Sequence, residues 1–264
     1  MQKLFLAIAG FNIRLTFHTS QTHTKSEKDL KILLKRQLCH FLNKENAKTI
    51  HATIDFLDKP NYTILYDKKN GSFIEFFQIS NQKNYRTFYH ISLYQFYSLL
   101  AHILTMLLSK YGGITVHASA ALIQGKATIF LGHSGAGKST IIQLLRSKYP
   151  ILADDHVIIR KKGAGYVAYQ TPYPEREDWF SKNPHPLPIG KMYFLKKGDI
   201  VSEQIIKNDE KFARLIENVP LPEIQKNFYI TFIMNFVAKQ NNFYEFTFPK
   251  NQKKLEYYFE QSHE

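Results

Sequence analysis

The stretch Gly132-His133-Ser134-Gly135-Ala136-Gly137-Lys138-Ser139, followed by Thr140, decides the reading of this chain. It matches G-x-x-x-x-G-K-[ST], a pattern expected by chance about once in a hundred chains of this length. Its context fits as well. An apolar run, Ala127 to Leu131, leads into it, and Ile141, Ile142, Leu144 and Leu145 follow at helical spacing. Glycines let the backbone turn successive N–H groups toward one point, and the N-terminus of the next helix faces the same point, so the segment forms an anion cradle. Lys138 brings a positive charge to the β- and γ-phosphates, and the Ser139 hydroxyl is a ligand for Mg²⁺. The expected ligands are therefore ATP and Mg²⁺. Residues Gly132, His133, Ser134, Gly135, Ala136, Gly137, Lys138, Ser139 and Thr140 are expected to hold the nucleotide, and Ser139 to reach the metal.

Two features flank the loop. Downstream, the short apolar run Ile151-Leu152-Ala153 ends in Asp154-Asp155. A strand ending in two acids close after a phosphate loop can place one carboxylate to accept a hydroxyl proton and the other to hold Mg²⁺. Upstream, His117 lies in Val116-His117-Ala118-Ser119-Ala120. Taken alone, a histidine on a strand is more often a packed residue than a catalyst.

Farther out the chain reads as mixed α/β. Phe11, Ile13, Leu15 and Phe17 alternate with polar residues as in a half-buried strand, and so do Ile50, Ala52, Ile54 and Phe56. Leu30, Leu33, Leu34, Leu38, Phe41 and Leu42 follow helical spacing, with Ser26 placed to cap that helix. Strands at Tyr62–Tyr66 and Phe73–Ile79 flank the hairpin signal Lys68-Lys69-Asn70-Gly71, and a further strand covers Tyr85–Ile91. A long helix spans about Leu93 to Tyr111 and stops at Gly112-Gly113. Beyond the phosphate loop come strands near 157–160, 166–169, 191–195 and 243–248, helices near 208–218 and 221–238, and a terminal helix. The segment Thr171 to Pro188 carries five prolines (172, 174, 184, 186 and 188) and reads as a loop long enough to be a lid. Two domains are expected: a β-rich one over 1–92 and a catalytic one over 93–264.

Composition narrows the function classes. The balance of 44 % hydrophobic and 22 % charged residues is that of a globular chain. One cysteine, Cys39, excludes a disulfide framework or a multi-cysteine zinc site. The formal charge of +13 comes from lysines spread along the chain, with no basic block longer than three residues and no interleaved aromatic signature, so no nucleic-acid partner is expected. The apolar stretch Leu93–Leu108 is broken by Gln95, Ser98, His102 and Thr105, which fits a buried helix and not a membrane span. The start, MQKLFLAIAG, lacks a long hydrophobic region and a small-residue cleavage site, so a cytoplasmic location is expected.

From His117 to Asp155 the chain resembles the HPr kinase/phosphorylase family, whose catalytic domain is related to ATP-dependent phosphoenolpyruvate carboxykinase. The resemblance rests on His117 with its small neighbours, the Gly132–Ser139 loop, and Leu152-Ala153-Asp154-Asp155. It implies a P-loop, mixed-sheet α/β catalytic domain and ATP-dependent transfer to a serine hydroxyl. It also implies that Asp154 is the general base, Asp155 the acid near the metal and His117 an active-site residue. Within Thr171-Pro172-Tyr173-Pro174-Glu175-Arg176-Glu177, it implies that Glu175 serves the metal or hydroxyl and that Arg176 steadies transition-state charge. Two departures stand out: Thr140 replaces the acid usual after the loop serine in the bifunctional enzymes, and their segment for protein substrate and phosphorolysis has no counterpart. The phrase His-Ala-Ser-Ala, the loop, and Pro-Leu-Pro-Ile-Gly-Lys-Met-Tyr-Phe-Leu-Lys-Lys-Gly over 186–198 are more similar to HPr-kinase-related peptide-tailoring proteins, including lasso-peptide kinases. On that resemblance the substrate partner is a serine of a peptide or protein. Family relatives often form rings, which implies a homo-oligomer. A small-molecule kinase acting on free serine or a sugar, and a nucleotide-binding regulator without transfer activity, are the alternatives.

Overall fold

The structure is a computed structural model. It describes all residues except 1, 19–23, 44–48, 59–63, 68–70, 75, 178, 181 and 262–264. The chain divides into two compact units, Met1–Leu107 and Leu108–Glu264. The division falls inside the long helix.

In the first unit, β1 (Gln2–Ile8) and β2 (Phe11–Phe17) form an antiparallel hairpin. Its two-residue turn is Ala9-Gly10, both at positive φ, the geometry that matches strand twist. The helix α1 (Thr24–Gln37) then carries the chain over to β3 (Ala52–Leu57), which runs parallel to β2, since a parallel pair needs such a crossover. Next come β4 (Ile64–Asp67) and β5 (Gly71–Ile74), an antiparallel pair, then β6 (Gln78–Asn81) and β7 (Asn84–Phe88). The five-stranded sheet has the order β1-β2-β3-β7-β6. Ile13, Leu15, Phe17, Ile54 and Phe56 are buried, as the alternation predicts. Phe17 and Phe56 stack at 4.8 Å between ring centroids. The expected cap does not hold: α1 begins at Thr24, so Ser26 is its third residue. The tip of the expected hairpin, residues 68–70, lies outside the described residues. The expected strand Phe73–Ile79 is instead the end of β5 and the start of β6.

The helix α2 (Leu93–Tyr111) has the predicted bounds. A reciprocal cap sets its start: Gln95 N donates to Ser92 Oγ at 3.2 Å, and Ser92 N donates to Gln95 Oε1 at 2.9 Å. Gly112, at φ +83°, ends it in the left-handed conformation. Among the described residues no helix is long and apolar enough to cross a membrane.

The second unit holds β8 (Gly113–His117), β9 (Ser119–Ile123), β10 (Lys126–Leu131), α3 (Lys138–Leu145), β11 (Ile151–Ala153), β12 (His156–Lys162) and β13 (Gly165–Gln170). It continues with β14 (Leu187–Lys197), β15 (Ser202–Ile205), α4 (Asn208–Ile216), α5 (Lys226–Lys239), β16 (Phe243–Phe248) and α6 (Gln252–Gln261). The nine-stranded sheet follows the path β11-β9-β10-β14-β13-β12-β8, with β16 paired to β14 and to β15. Strand β14 runs parallel to both β10 and β16, so the C-terminal ends of the three lie on one edge. Alternate residues on these strands feed two cores. Ile129, Leu131, Met192 and Phe194 pack with Leu215, Ile233 and Phe236 of α4 and α5. On the other face Phe130, Tyr193 and Phe246 pack with Ile142 and Leu145 of α3 and Leu255 and Phe259 of α6. A mixed sheet covered on both faces makes this unit a three-layer α/β structure.

Strand β15 was not expected, because Ser-Glu-Gln-Ile has no apolar alternation. Polar bonds hold it. Glu203 accepts from Lys191 Nζ at 2.9 Å, from Tyr193 OH at 2.7 Å, and from Tyr258 OH.

His102 on α2 lies edge-on to Tyr85 and tilted against Phe77, with centroids 5.9 and 5.3 Å away. Burial pushes its pKa below the usual histidine range. The unfolded chain therefore takes up this proton at a higher pH than the folded one, and stability is lost as pH falls below about 6.5. Thermal unfolding between pH 8 and pH 5.5 should show a steeper fall for the parent protein than for His102→Gln.

Candidate active site

The sheet topology itself assembles the site. Strands β8 and β9 form one chain path bent at Ala118, and β11 and β12 form another bent at Asp154-Asp155. The two paths pair: His117 faces His156 across β8/β12, and Ala153 faces Ala120 across β11/β9. At the bends Ala118 N donates to Asp155 O at 3.0 Å. Because β9 is antiparallel to both β10 and β11, the last two run the same way. The acids that end β11 thus emerge on the same edge as the loop that ends β10.

A cavity of about 560 Å³ opens there, lined by His117, Ser134, Gly135, Gly137, Lys138, Ser139, Thr140, Asp154, Asp155, Arg176, Lys197 and Lys250. Most of the expected site residues meet in it. Gly132, His133 and Ala136 are not part of its wall. Gly132 N donates to Asn218 Oδ1 at 2.9 Å, His133 is exposed with Nδ1 against Ser134 O, and Ala136 is buried with its N–H on His133 O. Gly137 has φ +107°, and a Cβ there would come within 2.9 Å of the Phe248 ring, so both conformation and space demand glycine. Lys138 is buried and donates to Gly132 O at 2.7 Å. Burial lowers its pKa, and the charges of Asp155 and Asp154 oppose that fall.

Asp154 is only 6 % exposed, and its Oδ1 is buried with no hydrogen-bond partner among the described residues. Buried carboxylate oxygens are normally satisfied, so this one stands out in a residue that also lines the cavity. Its main chain is fixed from both sides: Ser119 Oγ donates to Asp154 O at 2.7 Å, and Asp154 N donates to Glu175 Oε2 at 3.1 Å. Asp155 is held between two imidazoles, with His117 Nδ1 at 3.1 Å from Oδ1 and His156 Nδ1 at 3.5 Å from Oδ2. Ligand atoms of His117, Asp155 and His156 all lie within 4.8 Å of one another, close enough to hold a metal ion together. His156 is pushed down in pKa by burial, against the pull of Asp155.

Glu175 lies elsewhere than expected. It does not line the cavity; its side chain is 5 % exposed and is engaged by Asp154 N and by Lys182, which is itself driven below the usual lysine range by burial. The loop geometry thus directs the Glu175 carboxylate to the Asp154 amide and to Lys182. Arg176 is 75 % exposed, with Nε 3.9 Å from Asp154 Oδ2. Gln170 ties the same loop to β11, donating to Leu152 O and accepting from Asn183 N, both at 2.6 Å.

Several site residues have no local signature. Asn218 is buried; its main-chain O accepts from His117 N at 2.7 Å while its side chain accepts from Gly132 N. A single residue two positions beyond α4 therefore holds both the histidine and the start of the Gly132–Ser139 loop. Lys197 and Lys250 enter the cavity from the ends of β14 and β16. His156 directly follows the acid pair, and that adjacency was the one readable signal among them.

A family model described as SynChlorMet cassette protein ScmC matches residues 82–207, just under half of the chain. No curated protein matches the chain. Among solved structures, the Hpr(Ser) kinase/phosphatase from Coxiella burnetii is similar at 11 % identity, covering 56 % of this chain and 92 % of that one, with a TM-score of 0.30.

Replacing Asn218 by alanine leaves the Gly132 N–H without its partner, which should cost about 1–3 kcal/mol of stability. Urea unfolding followed by tryptophan fluorescence would measure it. Gly137→Ala should abolish nucleotide binding in a calorimetric titration while the fold is retained by circular dichroism.

Proposed function

We propose that this chain is an ATP-dependent kinase that transfers the γ-phosphoryl group to a hydroxyl, a serine of a peptide or protein. The observation that carries the reading is Asp154, a buried acid with one unpartnered oxygen, in the wall of the cavity that the Gly132–Ser139 loop also lines. A buried carboxylate held by its own main chain, with one oxygen left over, suits removal of a proton from an incoming hydroxyl.

The residues present fit Mg²⁺ and a polyphosphate. Ser139 and Asp155 offer the oxygen ligands that Mg²⁺ takes, and bound there it would neutralise charge on the phosphate oxygens. Lys138, the loop N–H groups and Arg176 supply further positive potential. In the transfer, the acceptor hydroxyl gives its proton to the Asp154 carboxylate as its oxygen bonds to the γ-phosphorus. The bond from that phosphorus to the bridging oxygen breaks, and ADP leaves. Glu175 and Ser119 keep Asp154 aimed, and His117 with His156 keep Asp155 oriented. In this reading Glu175 is a positioning residue.

Asp154→Asn should lower transfer by about 10²-fold or more while ATP still binds. Mass gain of one phosphate on serine-containing peptides, free serine and sugars would be measured for both proteins. Unchanged turnover in the variant would remove Asp154 from the role of base, and labelling of free serine or a sugar alone would move the acceptor to small molecules.

A further inference from the structure

A separate cavity, of about 520 Å³, is lined by residues 146–151, which link α3 to β11, and by Trp179 of the proline-rich segment. It shares no residue with the cavity that holds the acids. Both of its walls nevertheless lead there. Strand β11 begins at Ile151 and ends just before Asp154, about 10 Å along an extended chain. Trp179 follows Arg176, a residue of the acid cavity, by three positions.

The lining has the chemistry of a peptide contact. Trp179 stacks on Phe180, with ring centroids 4.2 Å apart, and Tyr149, Pro150 and Ile151 continue the apolar wall. The buried Nε1 of Trp179 has no hydrogen-bond acceptor among the described residues, although a buried indole N–H usually finds one. The charges of the rim are largely spent: Lys148 is paired with Glu260, and Ser147 Oγ donates to Glu256 at 2.8 Å. Arg146 is the exception. It is exposed, its guanidinium lies 5.4 Å from the Trp179 ring centroid, and among the described residues it pairs with no carboxylate. A guanidinium over an aromatic ring keeps its N–H groups for a carboxylate. Trp, Tyr and Arg are also the residues that carry most of the energy at protein contacts.

We propose that this cavity docks the acceptor peptide, taking an aromatic side chain beside Trp179 and a neighbouring Asp or Glu carboxylate on Arg146. An extended peptide covers the distance to Asp154 in about three residues, so the docked pair lies about that far from the serine. The assignment rests on the peptide-kinase reading above and deepens it by naming the acceptor class, an acidic and aromatic sequence. Free serine or a sugar is too small to reach both cavities, so only a peptide gains from the second.

Trp179 is the one tryptophan of the chain and reports on the cavity directly. The full chain, without nucleotide, is titrated with short tryptophan-free peptides that carry a Phe-Glu pair about three residues before or after an alanine in the place of the serine. Lysine replaces the glutamate in the control set. A glutamate peptide should change the Trp179 emission and bind about tenfold more tightly than its lysine control, and Arg146→Glu should invert that order. Inversion is a gain of binding, which an unfolded variant cannot show. No change in emission with any peptide, equal affinities, or the same order in Arg146→Glu overturns the docking site. Emission that changes with protein concentration and not with peptide marks a contact between copies of the chain and overturns it as well. The two readings fail separately. Serine peptides that bind but gain no phosphate overturn the kinase and leave the docking site, whereas phosphate gained without preference for the Phe-Glu pair does the reverse.

Discussion

One hydrogen bond, from Ala118 N to Asp155 O, sits where two bent strand paths cross. Each path must leave one part of the sheet and enter another, and a bend exposes main-chain groups that a ladder would have paired. Pairing the bends with each other meets that need. It also places the residues beside each bend, His117 on one path and the two acids on the other, at a single point on the sheet edge. The cores on either face act through the same strands: Phe130 and Leu131 anchor β10 in opposite layers, so the loop that follows leaves a strand fixed from both sides. The site is therefore a consequence of how the sheet folds over, with the helices supplying the clamp.

What could be read in the sequence was what is contiguous. The Gly132–Ser139 loop is legible because four restricted residues, Gly132, Gly137, Lys138 and Ser139, fall within eight consecutive positions. The same holds for α2, where Ser92 and Gln95 write the start, the apolar spacing writes the body and Gly112 writes the end. The acid pair could be read because it ends an apolar run shortly after the loop.

The rest depends on distant partners. Asn218 serves Gly132 across 86 positions in the chain, and nothing in its neighbourhood sets it apart from an ordinary helix-end asparagine. Strand β15 exists because Glu203 collects Lys191, Tyr193 and Tyr258, groups that become neighbours only after folding. The hairpin β1–β2 was missed because Ala9 adopts a positive φ that alanine rarely takes, so Ala-Gly does not look like a turn. The surroundings of Glu175 are hidden for a related reason. A charge cluster on a proline-rich loop suggests solvent or chemistry, whereas its carboxylate is enclosed by Lys182 and the Asp154 amide.

That enclosure has a thermodynamic side. The segment from Thr171 to Pro186 touches Asp154 through the Glu175 carboxylate and reaches β11 through Gln170. Free energies of coupled ordering are reciprocal. Whatever the segment contributes to holding Asp154 in place, Asp154 returns to the segment by the same amount. Pro172, Pro174, Pro184 and Pro186 lower the entropy the segment has to give up on settling, so more of that shared free energy is left to restrain the acid. The sharpness with which one carboxylate is aimed is thus encoded partly in residues other than those that bond to it.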